Sequence, residues 1–329
     1  MKFGATPIDR AEGAILAHSV SAGEKRLRKG QVLETANIDA LRRAGHESVV
    51  VARLEADDLH EDQAALTLAK ALKVGAGSGV RLSRPGTGRV NLIATTPGVV
   101  VMDEERLREV NRINPMITVA TVPPYQQMDA GGMIATVKII SYGVPGADIG
   151  KAVGRGRSSL RLQPPLIETA TLIITDIPGG PGEKGRNAIE KRLAALGVAL
   201  DEVICVPHEI GALAGALGQA AGGLILILTG SATSDMNDIG PEAVRAAGGK
   251  IKRFGMPVDP GNLLFFGRLK KNPLIGLPGC ARSPALNGAD WVLSRLVCGV
   301  DVSNKDIARM GVGGLLKEIP TRPMPRRGK

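Results

Sequence analysis

A chain of 329 residues is long enough for two domains with full cores, and its 43% hydrophobic and 22% charged content is ordinary for a globular protein. Its net charge of +10 favours anionic partners. With aromatics at 2%, no basic stripe interleaved with rings, no helix-turn-helix pattern and no zinc-finger spacing, a phosphorylated small molecule fits that charge with fewer assumptions than nucleic acid.

In chain order, residues 30–33 read as a turn, Ile38, Leu41 and Ala44 recur at helical spacing, and Val49–Val51 reads as a strand. His18 and His46 lack partners at metal-binding spacing and read as surface or packing side chains. Asp57, Asp58, Glu61 and Asp62 precede a helical run through Leu66, Leu68 and Leu72, where carboxylates favour the positive end of the helix dipole. The glycines between 75 and 79 follow a helix and precede an apolar segment, the wrong order for a dinucleotide fingerprint, so they read as a connection. Arg81, Arg84, Arg89 and Asn91 surround Gly86 and Gly88 as a solvated basic loop with the capacity to reach an anion. Strands are expected over 99–102, 117–122 and 133–140 and a helix over 104–110, so residues 1–150 read as a smaller α+β region. A boundary is expected within 146–165, where glycine, arginine and serine dominate and apolar periodicity lapses.

From residue 166 to 310 strands and helices alternate. The strands fall at 171–174, 203–206, 224–228, near Ile251, at 263–266 and at 274–275; the helices fall at 187–196, 210–220, 241–247 and 286–297. Such alternation means parallel strands with crossover helices and a ligand at the carboxyl ends, where Thr175-Asp176, Pro207-His208 and Thr229-Gly230-Ser231 lie. Leu224–Leu228 has no polar break and reads as a central strand buried on both faces. The small residues after it, followed by Gly240, Pro241 and Glu242 opening a helix, have the form of an anion cradle, although an ordinary strand-to-helix connection has the same local sequence. Two rigid loops, 255–262 and 276–284, look like site walls.

The cysteines are too few for a disulfide framework. Cys205 and Cys298 sit in apolar runs and read as core, and Cys280 as a packed loop residue or a thiol near a ligand. No signal-peptide core and no run approaching ~20 apolar residues is present, so a cytoplasmic location without membrane contact is expected. Residues 311–329 read as a basic, proline-rich tail or linker.

Four elements in order carry a resemblance: Thr229-Gly230-Ser231, Asp238, Pro260-Gly261-Asn262 with Phe266-Gly267-Arg268-Leu269, and Gly276-Leu277-Pro278-Gly279. Together they resemble the molybdopterin-binding (MoCF) domain of molybdopterin molybdotransferases and adenylyltransferases, nearest to a bacterial branch fused to a nucleotidyltransferase domain. The resemblance implies a three-layer α/β domain with a mainly parallel sheet. It also implies a role in molybdenum cofactor biosynthesis, with the pterin phosphate on the Thr229–Ser231 loop. Thr229, Gly230, Ser231, Thr233, Pro260, Gly261, Asn262, Pro278, Gly279, Arg282 and Ser283 are the implied cofactor-binding residues, with Lys252, Arg253 and Arg268 as further sources of charge. The implied ligand is molybdopterin, free or adenylylated, and the implied partners are a nucleotidyltransferase, molybdoenzyme maturation proteins and further copies of the chain.

Departures from the family pattern concern chemistry. The Met-Asp-Gly-Tyr-Ala motif of molybdotransferases is missing, Thr175–Pro181 stands where they carry Ser-Thr-Gly-Asp-Glu-Leu, and Asp259 and Asn262 stand where they carry lysines. Three readings therefore stand: a molybdopterin-binding protein without turnover, a molybdotransferase using Asp176, Asp238 and Asp259 to manage molybdate and Mg2+, and a polyanion or nucleic-acid binder. For Asp238 a metal ligand, a pterin contact and a helix cap all remain open.

Overall fold

The structure, a computed structural model, describes residues 1–75 and 77–316; most of the basic tail, from residue 317, lies outside the described residues. The chain forms two compact units. The first comprises Met1–Thr95, Val100–Pro124 and Ala130–Leu162; the second comprises Thr96–Val99, Tyr125–Asp129 and the chain from Gln163 onward.

The first unit begins with an antiparallel three-stranded sheet in which Ser48–Arg53 lies between Lys2–Pro7 and Ile15–Leu16. The helix Thr35–Arg43 covers it, because Ile38 and Leu41 share one face and bury against Leu16, Leu33, Val49 and Val51. A four-stranded antiparallel sheet follows, in the order Ile117–Thr121, Met133–Ile139, Arg89–Ala94, Val80–Leu82. Asp62, at the head of the helix Glu61–Leu72, accepts the N–H of Gly88 at 2.7 Å, so this acid holds the glycine turn between two strands as well as favouring the helix dipole.

The segment expected to lack periodicity contains a helix, Gly146–Gly156, and a strand, Leu160–Gln163. Its buried stripe is Ile149, Ala152 and Gly156, and a Cβ on Gly156 would come within 2.7 Å of Leu72 and 2.9 Å of Val110. A helix that packs through small residues carries little apolar signal in its sequence.

In the second unit the elements are β1 (Thr169–Asp176), α1 (Arg186–Ala194), β2 (Ala199–Pro207), α2 (Ile210–Gln219), β3 (Leu224–Leu228), α3 (Ile239–Ala246), β4 (Lys250–Phe254), β5 (Phe265–Leu269), β6 (Asn272–Leu277), α4 (Gly288–Val297) and α5 (Asn304–Arg309). The sheet order is β2-β1-β3-β6-β5-β4. The first four strands are parallel, and β5 and β4 form an antiparallel edge. All five residues of β3 are buried. Leu224, Leu226 and Leu228 belong to the cluster of Ile189, Leu193, Val292 and Leu293, whereas Ile225 and Ile227 belong to that of Leu213, Leu217, Ala243 and Val244. Strand alternation thus turns one apolar run into the middle of a helix–sheet–helix sandwich.

Cys298 is buried, as its apolar neighbours imply. Cys205 is exposed, because β2 pairs only with β1 and lies at the sheet edge. An apolar run on an edge strand need not be covered on both faces.

Candidate functional site

The sequence-predicted loops meet at one edge of the sheet. In register, Ile174 lies beside Leu228 and Leu228 beside Leu277, so Asp176 at the end of β1, Thr229 just after β3 and Pro278 just after β6 lie at one edge. Phe254 pairs with Phe265 and Phe265 with Gly276, which opens the 255–264 loop toward the same edge. Parallel strands leave their connections, and any ligand, at their carboxyl ends.

Thr175 is the hub of this edge. Its buried hydroxyl accepts the N–H of Gly230 at 3.0 Å and lies 2.7 Å from Nδ1 of His208. A Cβ on Gly230 would stand 2.8 Å from the Thr175 carbonyl oxygen, so only glycine lets β3 turn against the end of β1. The expected phosphate donor at Gly230 is therefore engaged inside the protein. One turn further, the N–H groups of Ser231, Ala232 and Thr233 have no acceptor among the described residues, and Ser231 and Ala232 are exposed. Thr229 and Thr233, both buried, bring their hydroxyls to 3.4 Å and close the loop from within.

Arg282 fastens the loop from the other side. Its Nη2 donates to the Thr229 carbonyl at 2.9 Å, and its Nη1 donates to the carbonyls of Gly182, at 3.1 Å, and Lys184. Burial holds the guanidinium below its ordinary pKa, with the Asp176 carboxylate acting the other way. Gly185, at φ +102°, makes room: a Cβ there would be 2.7 Å from the Arg282 Cα. Arg282 thus joins three carbonyls from two loops.

The remaining predicted residues sort into walls and caps. Asp238 caps α3, its two oxygens accepting the N–H groups of Ile239 at 2.7 Å and Ser234 at 2.9 Å. The Asp176 Oδ1 accepts the Gly182 N–H at 3.2 Å. Asp259 precedes a cis peptide to Pro260, and its main chain bonds Gly314 and Leu316 at 2.8 Å. The Pro260 carbonyl accepts the Gly288 N–H at the start of α4, and Gly261, at φ +139°, lies against the same turn. Asn262 is exposed and its carbonyl accepts the Met256 N–H at 3.0 Å. Pro278 is buried and Gly279 exposed at the head of a 3-10 turn; Ser283 is exposed, and its carbonyl accepts Nη2 of Arg192 at 2.7 Å.

Among the described residues no group of three or more His, Cys, Asp or Glu side chains could hold a metal ion, and both oxygens of the Asp238 carboxylate are engaged in its cap. One expectation, on the sources of charge, is corrected by this arrangement. Lys252 and Arg268 lie at the far end of the antiparallel edge, since Arg268 pairs with Pro273 at the start of β6. Thr175, His208 and Lys184 join the site without belonging to its expected binding set. Thr175 and His208 stood at strand ends in the sequence, but no local pattern said that a threonine would bond a glycine 55 residues away.

Residues 5–53 match a family described as a domain of unknown function (DUF8806). No curated protein matches the sequence. Among solved structures, the chain is similar to a molybdopterin biosynthesis MoeA protein from Pyrococcus horikosii, at 13% identity over 91% of this chain and 75% of that one, with a TM-score of 0.31. It is also similar to a molybdopterin biosynthesis protein from Mycobacterium abscessus, at 14% identity over 41% of this chain and 94% of that one, with a TM-score of 0.29. A third structure, the molybdopterin biosynthesis enzyme MoaB from Thermus thermophilus, matches at 18% identity over 41% of this chain and 98% of that one, with a TM-score of 0.27. Likenesses at these identities and TM-scores do not transfer an activity. Among the described residues no helix is long and apolar enough to cross a membrane.

Proposed function

We propose that the second unit binds molybdopterin at the carboxyl edge of its sheet and serves the biosynthesis or maturation of the molybdenum cofactor. The observation that carries this reading is the run of N–H groups at Ser231, Ala232 and Thr233, without an acceptor among the described residues, on a loop fixed by Thr175 and Arg282. Successive main-chain donors on a preorganised turn are what a phosphate monoester requires. The turns at 260–262 and 278–279 open on the same edge and would flank the pterin. The order of these loop motifs in the sequence supports the choice of pterin over other phosphate esters.

Binding is favoured over molybdate insertion, because both carboxylate oxygens of Asp238 are engaged in capping α3 and no group of three or more His, Cys, Asp or Glu side chains among the described residues could hold a metal ion. An adenylylated pterin, a nucleotidyltransferase that modifies it, molybdoenzyme maturation proteins and self-association are the ligand form and partners that this reading brings with it. The test is a fluorescence titration of the purified chain with molybdopterin released from a molybdoenzyme. Ser231→Trp is expected to remove binding while preserving the melting curve, since Ser231 is exposed. Unchanged affinity in that variant would take the loop out of the site.

A further inference from the structure

The opposite end of the second unit carries a cluster of cations that the carboxyl edge does not use. A cavity of about 330 Å³ is lined by Lys250, Lys252, Arg268 and Lys270 around Ile251 and Gly267. Three independent features of the backbone bring those charges together. Lys250 lies directly opposite Arg268 in the β4–β5 ladder, an arrangement in which like charges destabilise the sheet. Lys252 is the additional residue where the register shifts between Ile251 and Arg253, and a bulge of this kind re-aims a side chain. Lys270, in the tight turn between β5 and β6, holds φ +53°, a left-handed conformation that a turn normally gives to glycine or asparagine. The neighbouring carboxylate Asp301 pairs with Lys252 at 2.7 Å, which leaves the other three cations without a carboxylate partner among the described residues.

We infer that this cavity is a second anion site that takes a diphosphate or triphosphate group, either as a free polyphosphate or as part of a nucleotide. Four cations against one carboxylate match a group of three negative charges. A single phosphate monoester, with two, would leave part of the repulsion between Lys250 and Arg268 in place. A bound polyphosphate neutralises the charges that oppose each other across the ladder, so binding stabilises the unit.

The experiment is calorimetric titration of the full chain with pyrophosphate, ADP and AMP at low and moderate salt, accompanied by melting curves. Pyrophosphate and ADP should bind and raise the melting temperature, AMP should bind at least tenfold more weakly, and added salt should weaken all three. Equal affinity for pyrophosphate and ADP identifies the polyphosphate alone as the ligand; tighter ADP binding identifies a nucleotide. Arg268→Glu, which sets a carboxylate opposite Lys250, should lower pyrophosphate affinity at least tenfold. Lys270→Gly removes a cation and relieves the turn, so it should raise the melting temperature of the free protein and lower affinity about fivefold. A loss of affinity in Lys270→Gly therefore cannot come from misfolding. Pyrophosphate affinity unchanged in both variants, or no pyrophosphate binding at millimolar concentration, overturns the inference. Ser231→Trp should leave pyrophosphate binding intact; loss of binding in that variant alone would move the anion to the carboxyl edge and equally overturn it.

Discussion

Thr175→Val is the sharpest probe of the carboxyl edge. The substitution nearly preserves the shape of a side chain that is fully buried, so it opens little cavity and acts through hydrogen bonding alone. It strips the Gly230 N–H of its acceptor at 3.0 Å and His208 Nδ1 of its partner at 2.7 Å. An orphaned, partly buried N–H costs about 1–3 kcal/mol, and the lost imidazole bond about 0.5–1.5 kcal/mol, for a total of roughly 2–4 kcal/mol. At roughly 2–4 °C per kcal/mol for a unit of this size, the melting temperature should fall by about 4–16 °C. Calorimetry on the wild type, the valine variant and a Thr175→Ser control measures this, and the molybdopterin titration on the same samples should show about a tenfold loss, because the loop bearing the Ser231–Thr233 amides loses its anchor. Serine keeps the hydroxyl and should retain most of both quantities. If valine melts with the wild type, or serine falls as far as valine, Thr175 does not hold the loop.

Other expectations follow from the same geometry. Gly230→Ala should destabilise the second unit by about 1–3 kcal/mol in denaturant titrations, since its Cβ meets the Thr175 carbonyl, which cannot move aside without distorting β1. Arg282→Lys should cost about 2 kcal/mol and expose the 177–185 loop to limited proteolysis, because an ammonium cannot reproduce the fork that reaches the carbonyls of Gly182, Lys184 and Thr229. The buried Cys298 thiol is pushed up to about 11 from an ordinary 9.0 by desolvation. Its folded pKa is raised, so its contribution is complete below pH 9 and is lost as pH climbs toward 11, when the unfolded thiol ionises first. The wild type should lose about 2–3 kcal/mol more than Cys298→Ala across that window in alkaline denaturation, and parallel curves would contradict this. Under native conditions at pH 8 an alkylating reagent should modify the exposed Cys205 well before Cys298, as read by peptide mass.

The second unit was legible in the sequence because its information is local. Five unbroken aliphatic residues at 224–228 can satisfy both faces of one strand only between two helical layers, and the alternation around them leaves parallel strands with their loops on one side. The tightness of the Thr229–Ser231 turn was equally legible, since consecutive small residues after a buried strand permit little else. Tertiary structure decided which donors remain available. Gly230 gives its N–H to a residue 55 positions earlier, Thr229 gives its carbonyl to one 53 later, and Arg282 reaches back 100 residues to Gly182. Residue spacing fixes periodicity and the chemistry on offer, but a hydrogen bond depends on ångström-scale placement of strand ends, and only the packing of the whole sheet sets that.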